Sequence, residues 1–298
     1  MSLDDNAMSN PSHRHSEPYV SVVIPTRHRN EQLSLCLDRL KPGFQSLDPS
    51  EYEVIVSDDG SESTAQAMIR ERYPWVRWVP GPHRGPAANR NSGARCARGE
   101  FIAFTDDDCL PDRDWLAAFR QAACPALDVL EGKTTCLEGL RSSLDEAPVN
   151  TTGGNLWSCN MMIRRSMFER VGGFDEDFLF WCEDMDLHQR IRRAGARIRF
   201  VPQAAVDHPR RRRPSGWQMG LRWENRVLLW YKEGNVGSVH SWLPVHLLKF
   251  RVGQILQYPL QWDSGRALAE LAAEFVCVIT HLPDWERKSR VRGARVPQ

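Results

Sequence analysis

The sequence predicts an α/β chain built on a doubly wound, mostly parallel sheet, followed by a C-terminal helical appendage. Three observations predict it. Short β-branched or aromatic apolar runs recur at Val20–Ile24, Glu53–Val56, Val76–Val79 and Phe101–Thr105. Segments of helical periodicity alternate with them across short connections, the pattern of a parallel sheet with crossover helices. Beyond Pro214 the alternation stops, and tryptophans and leucines recur at helical spacings.

Each element has a local reason. Residues 1–18 are rich in Ser, Asn, Asp and His without hydrophobic periodicity, and read as a flexible tail. Val20–Ile24 suits a strand buried on both faces. A helix over Glu31–Leu40 gathers Leu33, Cys36, Leu37 and Leu40 on one side, and Pro42-Gly43 stops it. A second helix is expected over Ser63–Arg72, with Ser61 or Ser63 as its cap. A third spans Pro86–Ala97, with Pro in its first turn and Gly99 just past its end. A fourth covers Asp114–Ala123. From Lys133 the pattern becomes irregular: a strand over Leu156–Ile163, a short helix over Ser166–Val171 ended by Gly172-Gly173, and a helix over Asp184–Ala194 ended by Gly195.

Composition bounds the function. The 41% hydrophobic and 26% charged content is that of a globular protein. With 39 Lys and Arg against 38 Asp and Glu, the net charge of +1 gives no argument for nucleic acid. None of the eight cysteines forms a C-x-x-C pair, which disfavours a zinc site or a thioredoxin-like couple. No signal segment or long apolar span is visible, so a reduced, cytoplasmic protein is expected, with peripheral contact to a membrane left open.

Open parallel sheets bind ligands beyond the carboxyl ends of their strands. Three polar segments stand there: Pro25-Thr26-Arg27, Asp58-Asp59-Gly60, and Asp106-Asp107-Asp108. Together they place five carboxylates in one crevice, a costly arrangement unless a cation offsets it. Carboxylates are hard oxygen ligands of the kind Mg2+ or Mn2+ prefers. No glycine-rich phosphate loop follows the first strand, which counts against dinucleotide oxidoreductases and P-loop enzymes. Phosphates would then fall to the metal and to Arg84 or Arg90.

The stretches VSVVIPTRHRN, VIVSDDGS, GPAANRNSGARCARGEFIAFTDDD, CNMMIRRSMFERVGGFDEDF and CEDMDLHQRIRRAG resemble, in order and spacing, the successive blocks of the family 2 glycosyltransferases with the GT-A fold. The resemblance runs from Val20 to His208. It implies an inverting transfer from a nucleotide-diphosphate sugar to an acceptor hydroxyl, with Mn2+ or Mg2+ as cofactor. By position it puts Pro25 and Asp59 on the nucleoside, and makes Asp106 and Asp108 the D-x-D motif with Asp108 the direct metal ligand. It makes Asp184 the general base, and His208 a further metal ligand. Thr26, Arg27, Asp58 and Asp107 lie in the same nucleotide-side segments.

Plainer roles compete. Glu183 and Asp184 stand where acids stabilise a helix start; Glu183 is assigned with the acceptor side. Asn160 is a candidate for an acceptor hydroxyl or for turn backbone, and Trp181 for stacking on a sugar or for packing. Arg210–Arg213 suits diphosphate, an anionic acceptor, acidic lipid or a solvated loop. The helices after Pro214 are expected to dock on the catalytic domain or on a second subunit, with a membrane interface as the alternative. The expected divisions are a tail over 1–18, a GT-A domain over 19–212 and the appendage over 213–298. A rival function is a catalytically inactive nucleotide- or carbohydrate-binding protein of the same fold, against which stand acids at every expected catalytic position.

Overall fold

The computed structural model describes residues 17–62, 64–235, 237, 239–240, 242–256 and 264–293. Most of the expected tail, the expected Ser63 cap and the last residues of the appendage therefore lie outside the described residues.

The alternation seen in the sequence is realised as β1 (Val20–Thr26), α1 (Asn30–Leu40), β2 (Tyr52–Asp58), α2 (Gln66–Arg72), β3 (Val76–Pro80), α3 (Pro86–Arg95) and β4 (Phe101–Thr105). There follow β5 (Leu110–Pro111), α4 (Trp115–Ala122), β6 (Val129–Thr135), β7 (Asp145–Glu146), β8 (Asn160–Arg164), α5 (Arg165–Arg170), α6 (Glu183–Arg193), β9 (Ile198–Asp207) and β10 (Arg211–Arg212). Three helices close the chain: α7 (Gly216–Lys232), α8 (Leu243–Leu256) and α9 (Ser264–Gly293). The strands form an eight-stranded sheet in the order β3-β2-β1-β4-β8-β6-β9-β5, and β7 pairs with β10 alongside. β1 to β4 are mutually parallel, whereas β8 runs antiparallel to both β4 and β6.

Both faces of the sheet are covered, because successive side chains of a strand point to opposite sides. Val20, Val22 and Ile24 of β1 join a core with α1, α2 and α4, whereas Val23 joins α3, α5 and α6 on the other face. Phe101 and Ala103 of β4 go to the first layer, and Ile102 and Phe104 to the second.

Several expected boundaries shift for visible reasons. α2 begins at Gln66 and its N-cap residue, Ala65, offers no capping side chain; Asp58 takes the role expected of Ser61 by accepting the Ala65 amide at 2.6 Å. β8 begins only at Asn160, since Gly154 and Asn155 donate their amides to the buried Glu131 carboxylate and bend the preceding segment. Two strands were not expected: β6, which spans Lys133 and has a register shift at Gly132/Lys133, and the ten-residue β9 in the irregular stretch, whose period is broken by Pro202.

α7 opens on a capping box in which Ser215 Oγ accepts the Gln218 amide and Gln218 answers the Ser215 amide. It crosses α9 at very short range. A Cβ on Gly216 would overlap the Glu270 carbonyl oxygen, and one on Gly220 would lie 2.5 Å from Cys277 Cβ. Trp223, Val227 and Tyr231 of α7 bury themselves against α8 and α9. Leu228 and Leu229, on its other side, cover Phe178 and Cys182 ahead of α6. No helix among the described residues is long and apolar enough to cross a membrane.

Two tests follow from this packing. A chain ending at Pro214 loses the cover over Phe178 and Cys182, and is expected to aggregate or melt early in light scattering and thermal denaturation. Gly216→Ala should destabilise the full chain by about 1–3 kcal/mol, because the added methyl meets backbone that cannot move aside. A melting temperature equal to that of the wild type would refute the close α7–α9 contact.

Candidate active site

The carboxyl ends of β1, β2 and β4 converge as the alternation predicts, and they border a cavity of about 640 Å³. Pro25, Thr26, Arg27, Asp59, Arg90, Asp106, Asp107, Trp181, Glu183, Asp184 and His208 all line it. Asp108 stands just behind that lining, with Oδ1 facing His208 Nε2.

Three expected site residues lie elsewhere, and each has a physical reason. Asp58 turns away from the cavity: its oxygens accept the amides of Gly60 and Ala65 and the indole N–H of Trp78 at 3.1 Å, so it shapes the β2–α2 turn. Arg84 is exposed and pairs with Glu176 at 2.7 Å. Asn160 is buried under the sheet, where Oδ1 accepts Trp115 Nε1 at 2.8 Å and Nδ2 donates to the carbonyls of Lys133 and Ala204. With its polar atoms so engaged, Asn160 has no reach to an acceptor.

The three consecutive aspartates point in three directions. Asp106 accepts Arg90 Nη2 at 2.6 Å, and Arg90 Nη1 reaches Glu183 Oε1 at 3.1 Å. Burial works to raise the Asp106 carboxyl, but the charge and hydrogen bond of Arg90 hold it below the usual value. Asp107 accepts Thr26 Oγ1 at 2.8 Å and Arg29 Nη1 at 3.0 Å; burial nevertheless pushes it up to about 7. Asp108 shares the same Arg29 nitrogen at 2.9 Å through one oxygen and turns the other toward His208.

That second oxygen and the facing histidine are the atoms that could hold a cation. Asp108 Oδ1 and His208 Nε2 are 3.3 Å apart, both buried, and neither has a hydrogen-bond partner. His208 Nδ1 lies 2.9 Å from the Pro209 carbonyl, which accepts its proton in the neutral ring. Nε2 then presents a lone pair to a carboxylate oxygen, and two acceptors facing each other repel unless a cation or a proton lies between them. Cys109 Sγ completes a cluster within 4.8 Å, but burial pushes its thiol well up and keeps it protonated. An oxygen and an imidazole nitrogen therefore remain, a donor set that fits Mn2+ better than Mg2+, which keeps to oxygen ligands.

Asp184 lies on the far side of the cavity, at the first turn of α6. Burial, and then the neighbouring Glu183, push its carboxyl up to about 7. One oxygen accepts the Met185 amide at 2.8 Å, and Asp184 enters none of the described ion pairs. The backbone just ahead is strained: Trp181 and Cys182 both adopt φ of 74°, a left-handed conformation that ordinary side chains avoid.

Sequence reasoning missed most of one wall. Asp145 and Glu146 of β7, Arg211 of β10, Met219 and Arg222 of α7, and Phe250, Arg251 and Gln254 of α8 close the cavity opposite the strand ends. Arg211 belongs to the basic run 210–213 noted in the sequence; nothing in the local pattern marks the others, because tertiary docking brings them there. Asn89 was also missed but did leave a trace. Like Arg90, which was expected on the phosphates, it is a polar position on a helix most of whose residues are buried, which calls for a specific partner. Asn89 ties β1 to β2 by donating to the Ser57 and Thr26 carbonyls.

Comparison with known proteins agrees with this geometry. The family model for glycosyl transferase family 2 matches residues 21–129, and that for the N-terminal domain of galactosyltransferase matches residues 139–212. The pre-mycofactocin glycosyltransferase of Mycobacterium tuberculosis is 35% identical over 228 residues, covering 70% of this chain and 46% of that protein. The validoxylamine A glucosyltransferase of Streptomyces hygroscopicus subsp. limoneus is 30% identical over 226 residues, covering 60% and 49%. The chain thus spans about half the length of these curated relatives. Among solved structures, S. aureus TarS 1-349 superposes with a TM-score of 0.56 at 19% identity, covering 93% of this chain and 89% of that one. A mannosyltransferase from Pyrobaculum calidifontis in complex with GDP-Man and Mn2+ superposes at 0.51 and 18%, covering 95% and 76%. With its blocks in order and this architecture around them, the chain carries a glycosyltransferase family 2 domain and has the GT-A fold.

Proposed function

We propose that the protein is a metal-dependent, inverting glycosyltransferase that moves a sugar from a nucleoside-diphosphate sugar to an acceptor hydroxyl. One observation carries the proposal: a pair of atoms in want of a cation, Asp108 Oδ1 and His208 Nε2, shares a site with a carboxylate of raised pKa, Asp184.

The roles follow from position. Pro25, Thr26, Arg27 and Asp59 border the nucleoside side of the cavity. One oxygen of Asp59 accepts the His83 amide at 2.9 Å, which orients the other for the base. Asp108, His208 and Asp106 would hold the metal, which when bound offsets the negative charge that develops on the leaving diphosphate. Asp184 accepts the proton of the acceptor hydroxyl as its oxygen forms a bond to the anomeric carbon. The bond from that carbon to the phosphate oxygen breaks, and the nucleoside diphosphate departs with the electron pair. A single displacement of this kind inverts the anomeric centre and needs no nucleophile from the enzyme. Trp181 and Glu183 stand beside the base on the acceptor side.

A thermal-shift screen of nucleotide sugars with Mn2+ identifies the donor, since a ligand of the folded state raises its melting temperature. Asp108→Ala should abolish transfer and the Mn2+-dependent part of nucleotide binding while leaving the unliganded melting temperature near that of the wild type. Wild-type activity that survives a chelator would sink the metal assignment.

Asp184→Asn should lower the transfer rate by a factor of roughly 10² or more with donor affinity retained. The wild-type rate should rise with pH through about 7, as Asp184 loses its proton and becomes a base. Stability moves the other way. A carboxyl raised from 3.8 to about 7 favours folding while protonated, and that contribution is lost as pH climbs through this window. Asp184→Asn should therefore melt no lower than the wild type at pH 8, with any gain vanishing below about pH 4.

Asp59→Ala should weaken nucleotide binding with or without metal, as measured by calorimetry. Gly81→Ala should do the same, because a Cβ there would overlap Asp59 Oδ1. An Asp59 effect that appears only with metal present would move this residue to the metal site.

A further inference from the structure

The turn that leads into α6 has little local support. The acids Glu183, Asp184 and Asp186 favour the helix start itself, but the N-cap residue, Cys182, makes no side-chain hydrogen bond to the first turn. Trp181 and Cys182 are consecutive left-handed residues, a conformation that costs roughly 1–3 kcal/mol at each non-glycine position. Such a turn keeps its shape only where its surroundings over-determine it.

Those surroundings are α7. Asn225 Nδ2 donates to the Phe180 carbonyl, and Lys232 pairs with Asp175. Leu228 and Leu229 pack on Phe178 and Cys182. Trp223 meets Trp181 edge to face, with ring centres 5.4 Å apart and planes at 81°. Trp223 cannot swing: it is 2% exposed, and its indole N–H donates to Glu274 Oε1 of α9 at 2.7 Å. Glu274 is gripped in turn by Arg251 of α8, through Nε and Nη2 at 2.8 Å each. Of the two tryptophans, only Trp181 borders the cavity.

We propose that Trp223, locked by Glu274 and Arg251, is a positioning residue for Asp184: it fixes Trp181, and with it the strained turn that aims the base. This rests on the assignment of Asp184 as base. Trp223 touches no substrate in this scheme. It belongs to the C-terminal helices, so they contribute orientation to the chemistry as well as a wall to the cavity. Its effect should fall on turnover rather than on donor binding, because the nucleotide side is built from β1, β2 and β4 on the other flank. Misplacement of a catalytic group by about 1 Å can cost on the order of 10²-fold in rate.

The test uses the full chain and the donor identified by the thermal-shift screen. Trp223→Leu, Trp223→Phe and Asp184→Asn are compared for kcat, donor KM and calorimetric binding of UDP or GDP with Mn2+. Trp223→Leu should lose about 10- to 100-fold in kcat, with donor KM and nucleotide affinity within about twofold. Trp223→Phe keeps a ring against Trp181 and should recover most of the loss. If Trp223→Leu does not fold, Glu274→Gln, which loosens the clamp without changing its shape, should lower kcat several-fold at unchanged nucleotide affinity. Unchanged kcat in the folded variant, or nucleotide affinity falling in step with kcat, overturns the positioning role. Should Asp184→Asn be inactive while Trp223→Leu works normally, only this inference fails. An active Asp184→Asn removes the base assignment and this inference together.

Discussion

Arg90 is enclosed by protein and shared between two carboxylates that belong to different parts of the fold, Asp106 at the end of β4 and Glu183 at the start of α6. Its guanidinium also lies over the Phe174 ring, 5.6 Å from the centre. The flank proposed for the nucleotide and the flank proposed for the acceptor meet at this cation. Without it, the buried Glu183 and the half-buried Asp106 would both lose their counter-charge, and removing one partner of a buried pair costs roughly 3–5 kcal/mol. Everything proposed for the two flanks assumes their spacing, and Arg90 sets that spacing.

The rest of the electrostatics reads as a set of compensations around it. Arg29 neutralises Asp107 and Asp108 together, and Thr26 adds a hydrogen bond to Asp107. Even so, burial leaves Asp107 and Asp184 with carboxyls at about 7, so the folded chain holds protons that the unfolded chain would release. The site is thus kept at a cost in stability, as concentrated charge in a cleft demands. The two well-packed layers on either side of the sheet and the C-terminal helical layer offset that cost.

How much of this was legible in the sequence depends on the range of the interactions. Strand ends were legible, because period-two and continuous apolar runs stop where polar residues enter the crevice; Asp59, Asp106 and Asp184 were found that way or through block resemblance. Helices α1, α3 and α6 announced themselves by spacing and punctuation. What a side chain does once it arrives was harder to read. Asp58 and Asn160 carry the expected chemistry but spend it on the scaffold, since backbone amides and an indole lie closer than any ligand. β9 was missed because Pro202 interrupts its pattern, and the α7–α8 wall because its position is set by contacts with residues far away in the chain.

Gly216 and Gly220 stand one helical turn apart on the face of α7 that meets α9. Their bare backbones work as a key cut for one lock. Sliding α7 along its neighbour by a single residue would bring a side chain against the Glu270 carbonyl or Cys277, so the pair has one permitted register. Met219 and Arg222, carried on the same helix, are therefore held at constant height above the cavity floor. Guests of different size must be accommodated by side-chain rotation at that wall, because the helix behind it has no neighbouring notch to move into.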